Sequence, residues 1–168
     1  MTSSPLVVLS LGSNLGDSRQ IVLDAMADLG SLLNDIRLAS LYETEPLHVT
    51  DQGRFINTAA AGFYPGKEDA QSARKLLKLI QEIEKKYVRD RSRERRWGER
   101  YLDIDILLFG NLVLSEPELE IPHPRLAGRR FALEPLLELL PGVLEPGTGK
   151  SYLEICQSLP GQGLVSKL

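Results

Sequence analysis

A chain of 168 residues with 42% apolar side chains can bury the core of one domain, and its formal charge of -3 excludes a general affinity for nucleic acid or anionic membrane. Cys156 is the only cysteine, which excludes an internal disulfide framework and a cysteine-based zinc site. No run approaches membrane-spanning length, and the apolar stretch Leu6 to Leu11 is too short for a secretion signal, so a soluble cytoplasmic protein is expected.

The expected elements follow in chain order. "PLVVLSLGSNLGD" reads as a strand ended by a glycine turn at Gly12 and Gly16, with Asp17 placed to cap the next helix. Val22, Met26, Leu29 and Leu33 recur at helical spacing and predict a helix to about Leu33. "IRLASLYETEP" predicts a second strand stopped by Pro46. The polar loop "LHVTDQG" follows, and "RFINTAAAGFY" predicts a third strand ended by Pro65 and Gly66. Ala73, Leu76, Leu77, Ile80 and Ile83 mark one face of a second helix from Glu68 to about Lys86. After an arginine-rich segment comes the strand "YLDIDILLFG". "NLVLS" suggests a small hairpin arm and "EIPHPRLAGRR" a proline-broken loop. "FALEPLLELLP" predicts a short apolar helix interrupted near Pro135. Ser151 and Glu154 form a capping-box pattern for a last short helix.

Strand, helix, strand, strand, helix, strand is the order of the ferredoxin-like, split βαβ arrangement. The expected fold class is α+β: an antiparallel sheet with two helices packed on one face and a C-terminal elaboration, as a single domain over residues 1–168. Many functions use this fold, so it decides nothing alone.

Side chains alternate faces along a strand. Leu102, Ile104, Ile106 and Leu108 therefore point one way into the core, while Asp103 and Asp105 point the other way together. Their Cα atoms lie roughly 6 to 7 Å apart at about 3.3 Å per residue. Carboxylates so spaced can share one or two hard cations, and magnesium accepts one or two carboxylates alongside water and substrate phosphate. The plain alternative is an acidic solvent face on an antiparallel strand. Two facts lean against it. Aspartate is a poor strand former. Between Arg89 and Arg100 lie six arginines and three acids, a locally basic window suited to an anion. Magnesium carboxylates and arginine forks together equip a site for phosphoryl transfer.

Other candidates are weaker. "GSNLGD" could offer backbone N–H groups to a phosphate, but it lacks the full dinucleotide glycine pattern and reads better as a turn. "EPGTGKS" imitates the end of a phosphate-binding P-loop, yet Leu144 stands where the first glycine belongs and no strand leads into it. His123, between two prolines, reads as an exposed loop side chain, with phosphate contact the minority reading; His48 has less support. Trp97 could stack on a base or anchor its loop. Asn57 inside a strand could read a heterocycle through both its donor and its acceptor, or simply face solvent.

"LSLGSNLGD", "RRWGERYLDIDILLFG" and "IPHPRLAGRRFALEPL", in this order and spacing, resemble the 6-hydroxymethyl-7,8-dihydropterin pyrophosphokinase family over about Leu6 to Leu140. The resemblance implies a folate-pathway enzyme that moves the diphosphate of ATP to the pterin's hydroxymethyl group and releases AMP. It implies that Asp103 and Asp105 hold two magnesium ions. It matches Arg89 and Arg91 to loop arginines that engage ATP, and Arg100, near Trp97, to an arginine on the substrate phosphates. With the two aspartates these three arginines are the catalytic set. His123 and Arg129 match a later phosphate-contacting pair, while Gln81, Glu84 and Ile106 match positions at the nucleotide. For the pterin, Thr44, Pro46 and Leu47 match a backbone wall, Asn57 the amide that reads the ring edge, and Phe55 and Phe131 the two rings that sandwich it. Glu45 and Glu99 stand where the family usually has proline, and Phe55 replaces a common tyrosine. The segment from Arg91 to Trp97 is one residue longer than usual.

The implied partners are ATP and a reduced pterin, with no nucleic acid and no membrane, and a monomer is expected. One rival is an RNA-binding module on a ferredoxin-like fold, which predicts exposed aromatics on central strands. A second is a sugar-nucleotide transferase with an Asp-x-Asp motif, which predicts a larger nucleotide-binding sheet than this element order supplies.

Overall fold

The computed structural model describes residues 3–46, 51–87, 101–161 and 165–168. In chain order its elements are β1 (Leu6–Ser13), α1 (Ser18–Leu29), β2 (Asn34–Leu38), β3 (Tyr42–Thr44), β4 (Phe55–Phe63), α2 (Ala70–Tyr87) and β5 (Asp103–Phe109). There follow β6 (Leu114–Glu116), β7 (Leu119–Ile121), α3 (Arg130–Leu139), α4 (Tyr152–Ser158) and β8 (Val165–Lys167). Six strands make one antiparallel sheet in the order β5-β1-β4-β3-β8, with β2 also on β4. β6 and β7 form a separate hairpin, the arm expected at "NLVLS".

The expected antiparallel sheet is present with the two expected helices on one face, and the C-terminal elaboration covers the other. α1 and α2 bury Val22, Ala25, Leu29, Leu76 and Ile80 against Val7, Leu9, Leu11, Ile104 and Ile106. On the opposite face α3 and α4 bury Leu133, Leu136, Tyr152 and Cys156 against Val8, Ala59, Ala61, Leu107 and Leu108. The C-terminal elaboration is thus a second packed layer, not an appendage.

Four local departures have physical causes. α1 stops at Leu29, four residues short of the expected end. Gly30 donates back to Met26, and the N–H groups of Leu32 and Leu33 fold onto the Leu29 carbonyl. Leu33 is still buried, so its apolar character served the core without the helix. The second strand is split at residues 39–41. There the Thr58 hydroxyl donates to the carbonyls of Ala39 and Ser40, and Glu138 of α3 accepts the Ser40 N–H at 3.0 Å. Those side chains take backbone groups that a continuous ladder would need.

In β5, Val8 stands opposite Leu108 and Leu9 opposite Ile106, leaving Leu107 as an extra, bulged residue. Leu108 therefore faces α3 and α4, not the side shared by Leu102, Ile104 and Ile106. Last, α3 runs unbroken through Pro135. The ring is buried in the second core, and that packing outweighs the single intrahelical bond it cannot donate. The capping expectations hold: Asp17 accepts from the Gln20 N–H, and Ser151 from the Glu154 N–H. "EPGTGKS" is a tight loop closed by Glu145 N–H to the Lys150 carbonyl and Gly149 N–H to the Glu145 carbonyl.

Candidate active site

Register brings the acidic pair and the strand asparagine together. Tyr42, Asn57, Gly12 and Asp103 are successive cross-strand neighbours on β3, β4, β1 and β5. Because side chains alternate, all four belong to the face that carries α3 and α4. Asp105 lies two pairs further along on the same face, opposite Ser10. Thr44 and Phe55, paired with each other, form the adjoining row on the same face. Phe131, in the first turn of α3, packs on the cluster under that helix, with the Arg129 guanidinium 5.5 Å from its ring centre. Pro46 stands two residues past the end of β3, after Glu45.

Asn57 is buried, at 5% exposure, so the solvent-facing reading of it fails. Its Nδ2 donates to Thr44 Oγ1 at 2.6 Å. Its Oδ1 lies over Gly12, where a Cβ would stand only 2.7 Å away.

His123 is not the exposed loop residue expected; its side chain is 13% exposed. Its N–H donates to the bulged Leu107 carbonyl, and its Nδ1 accepts the Arg125 N–H at 3.1 Å. The neutral ring therefore carries its proton on Nε2, which points at Asp105 Oδ2 from 3.9 Å. Burial, with the charges of Arg129 and Arg125, pushes its pKa down to about 4. At neutral pH it is an uncharged donor beside Asp105 rather than half of an ion pair.

A cavity of about 230 Å³ opens at the β5 edge of the sheet. Its walls are Leu77, Ile104, Asp105 and Ile106, the β6–β7 hairpin from Glu116 to Glu120, and His123 with Pro124. Glu84 accepts the outward N–H of Ile104 at 2.8 Å. Ile106, two residues on, presents its main chain the same way while its side chain is buried, so what it offers the cavity is backbone. Leu77, Gln81 and Glu84 follow one helical stripe, which puts Gln81 beside this rim. Sequence reading missed Leu77 and the hairpin as cavity walls. Leu77 carried only a core signal, and the hairpin only that of a solvated arm.

The turn "GSNLGD" is tied to the segment before β4. Asn14 Nδ2 donates to Gln52 Oε1 at 3.1 Å and to the Gly53 carbonyl at 3.3 Å. Glu45, where proline is usual, is an exposed acid 3.8 Å from Arg54, which also pairs with Glu43. Leu47, His48, Arg89, Arg91, Trp97, Glu99 and Arg100 lie outside the described residues.

A sequence model of the family described as 7,8-dihydro-6-hydroxymethylpterin-pyrophosphokinase (HPPK) matches residues 8–141. The chain belongs to this family. Every candidate residue of the pterin pyrophosphokinase site falls inside the matched span. The chain is similar to the 2-amino-4-hydroxy-6-hydroxymethyldihydropteridine pyrophosphokinase of Pseudomonas aeruginosa, at 37% identity over 94% of both chains. It is 41% identical to a folate synthesis bifunctional protein of Arabidopsis thaliana over 80% of its own length, but spans only 27% of that longer protein. A solved structure of Plasmodium falciparum HPPK-DHPS with pteroate shares the fold. Its TM-score is 0.65 at 15% identity, over 94% of this chain and 42% of that one.

Proposed function

We propose that this chain transfers the diphosphate of ATP to the hydroxymethyl group of 6-hydroxymethyl-7,8-dihydropterin and releases AMP. Membership of the family makes it a pterin pyrophosphokinase of folate biosynthesis, and no comparison supports an RNA-binding module. The observation that carries the detailed reading is the common face of Asp103, Asp105 and Asn57. It supports a pterin end and a phosphate end joined in one site. The strand order β5-β1-β4-β3, antiparallel throughout, supports a ferredoxin-like core. In this reading residues 1–168 are one domain, acting as a cytoplasmic monomer. Among the described residues no helix is long and apolar enough to cross a membrane.

Asp103 and Asp105 fit magnesium. They offer two hard oxygen donors from one strand face, and among the described residues no group of three or more His, Cys, Asp or Glu converges to hold an ion. Such a donor set leaves most of the coordination shell to water and ATP phosphate, which is how magnesium is usually held. Two Mg²⁺ ions bound there would neutralise phosphate charge and lower the proton affinity of the pterin hydroxyl.

The protein's own groups do the positioning. Asn57, with the wall of Thr44, Pro46 and Leu47, reads the ring edge, and Phe55 and Phe131 stack on its two faces. So held, the hydroxymethyl oxygen attacks the β-phosphorus of ATP in line. The bond to the α,β-bridging oxygen breaks, AMP leaves, and the hydroxyl proton passes to water. Gln81, Glu84 and Trp97 border the nucleoside, with Ile106 contributing through its main chain. Neutral His123 donates from Nε2 to a phosphate oxygen, while Arg89, Arg91, Arg100 and Arg129 offset the phosphate charge and that of departing AMP. The test is to incubate the protein with ATP, magnesium and the hydroxymethyl-dihydropterin and to follow AMP. Pterin-dependent AMP formation is expected; AMP formed at the same rate without pterin would sink the proposal.

A further inference from the structure

In the row Asn57–Gly12–Asp103 the middle position has no side chain, and the geometry gives that absence a task. Neighbouring strands lie about 4.8 Å apart, so Asn57 and Asp103 stand about 10 Å apart with only the main chain of β1 between them. The Asn57 amide uses Nδ2 on Thr44 and turns Oδ1 over β1, where among the described residues it accepts no hydrogen bond. A Cβ on Gly12 would meet that oxygen at 2.7 Å, inside any tolerable contact. The amide cannot easily yield, because Asn57 and Thr44 are 5% and 4% exposed. Nor does the backbone call for glycine: Gly12 is not among the glycines with positive φ. Alanine suits a strand interior better than glycine, so the glycine here sacrifices strand stability for space.

We infer that Gly12 is a positioning residue for pterin recognition. Its missing side chain lets the Asn57 amide lie across β1. It also leaves a flat floor between that amide and the two aspartates. A bicyclic heterocycle stands edge-on over this floor, between Phe55 and Phe131, with its polar edge on Asn57 and its one-carbon arm toward the carboxylates. The inference rests on the reading of Asn57 as the pterin amide.

A mutant cycle in the full chain separates the two. Gly12→Ala is expected to raise the KM for the hydroxymethyl-dihydropterin about ten-fold or more, with the KM for ATP within about two-fold of the parent. Asn57→Ala should also raise the pterin KM. In the Asn57→Ala background Gly12→Ala should add less than about two-fold, since the group it displaces is gone. Independent, multiplying effects of the two changes would overturn the inference, as would a normal pterin KM in Gly12→Ala. An unchanged pterin KM in Asn57→Ala would remove the reading beneath it, and the inference with it. If Gly12→Ala alone is insoluble, recovery of soluble protein in the double variant supports the inference; an insoluble double variant overturns it.

Discussion

Asp105 illustrates how a charged side chain can sit in a strand outside the apolar core. Its side chain is 38% exposed, and its neighbour in register is Ser10 rather than an apolar residue. Replacing it should leave folding stability within about 1 kcal/mol. The same change removes one of two carboxylates proposed for magnesium, a loss of several kcal/mol of transition-state stabilisation. Asp105→Ala is therefore expected to lower AMP production by about a thousand-fold or more while circular dichroism and the urea midpoint stay put; near-normal turnover would sink the metal assignment. Tyr152 is the converse case. It is fully buried in the second core, and its hydroxyl has no partner among the described residues. Burial, with a smaller contribution from Glu145, pushes its phenol above the ordinary value. Tyr152→Phe removes an unpaid polar group at constant shape, so stability should be unchanged or raised by up to about 1 kcal/mol in urea denaturation. At this scale the aspartate pair was legible because alternation alone turns both carboxylates to one face. The burial of His123 was not, because it depends on a β-bulge and on a hydrogen bond to Leu107, sixteen residues away in sequence.

Elements are joined here by side chains that no local pattern announces. Glu138, near the C-terminal end of α3, accepts from the Ser40 N–H and hydroxyl and from Tyr42 Oη at 2.6 Å, and Lys167 of β8 approaches it to 3.6 Å. One carboxylate thus ties α3 to the break between β2 and β3, and to β8 beyond. β3 carries Thr44 and runs into Pro46, so this tie also steadies the proposed pterin wall. Partial burial raises the Glu138 pKa, but the hydrogen bonds from Tyr42 and Ser40 more than offset it and hold the value below the ordinary 4.5. As pH falls, the unfolded chain takes up this proton before the folded one does. The stabilisation is therefore full above about 4.5 and fades as pH drops through the depressed folded value. Glu138→Gln should cost about 2 kcal/mol near neutral pH, and that difference should shrink in urea titrations carried below pH 4.5. A gap that stayed constant into acid would exclude the carboxylate as its cause. Helices and long strands were legible from period and caps. The split of the second strand was not, since Thr58 and Glu138 that cause it lie eighteen and ninety-eight residues from Ser40.

At the scale of the molecule the sheet serves two cores, and the proposed site lies on the face of the second. The family match ends at residue 141, yet α4 beyond it completes that layer and β8 extends the sheet at β3. Tyr152 and Cys156 of α4 are buried against the underside of α3, and Arg130 at the start of α3 donates to the carbonyls of Cys156 and Leu159. Removing everything after Leu140 would strip α3 of its outer support, the buried Tyr152 and Cys156, and leave α3 alone to cover that face of the sheet. The expected product keeps helix and strand signals but loses near-ultraviolet circular dichroism, binds a hydrophobic dye and unfolds over a broad range of urea. Removing only Val165–Leu168 is a milder insult. It deletes the β3–β8 pairing, the Lys167–Glu138 contact and the Leu168 N–H bond to the Leu41 carbonyl, but no residue of either core. That variant should keep a sharp, single transition with a lowered midpoint, and the β3 edge it uncovers should make it more prone to self-association. If the chain ending at Leu140 unfolded as sharply as the full one, the second layer would be ornament. The first core and the matched span would then suffice to hold Asn57 and the aspartates in register. The buried contacts of α4 predict the opposite.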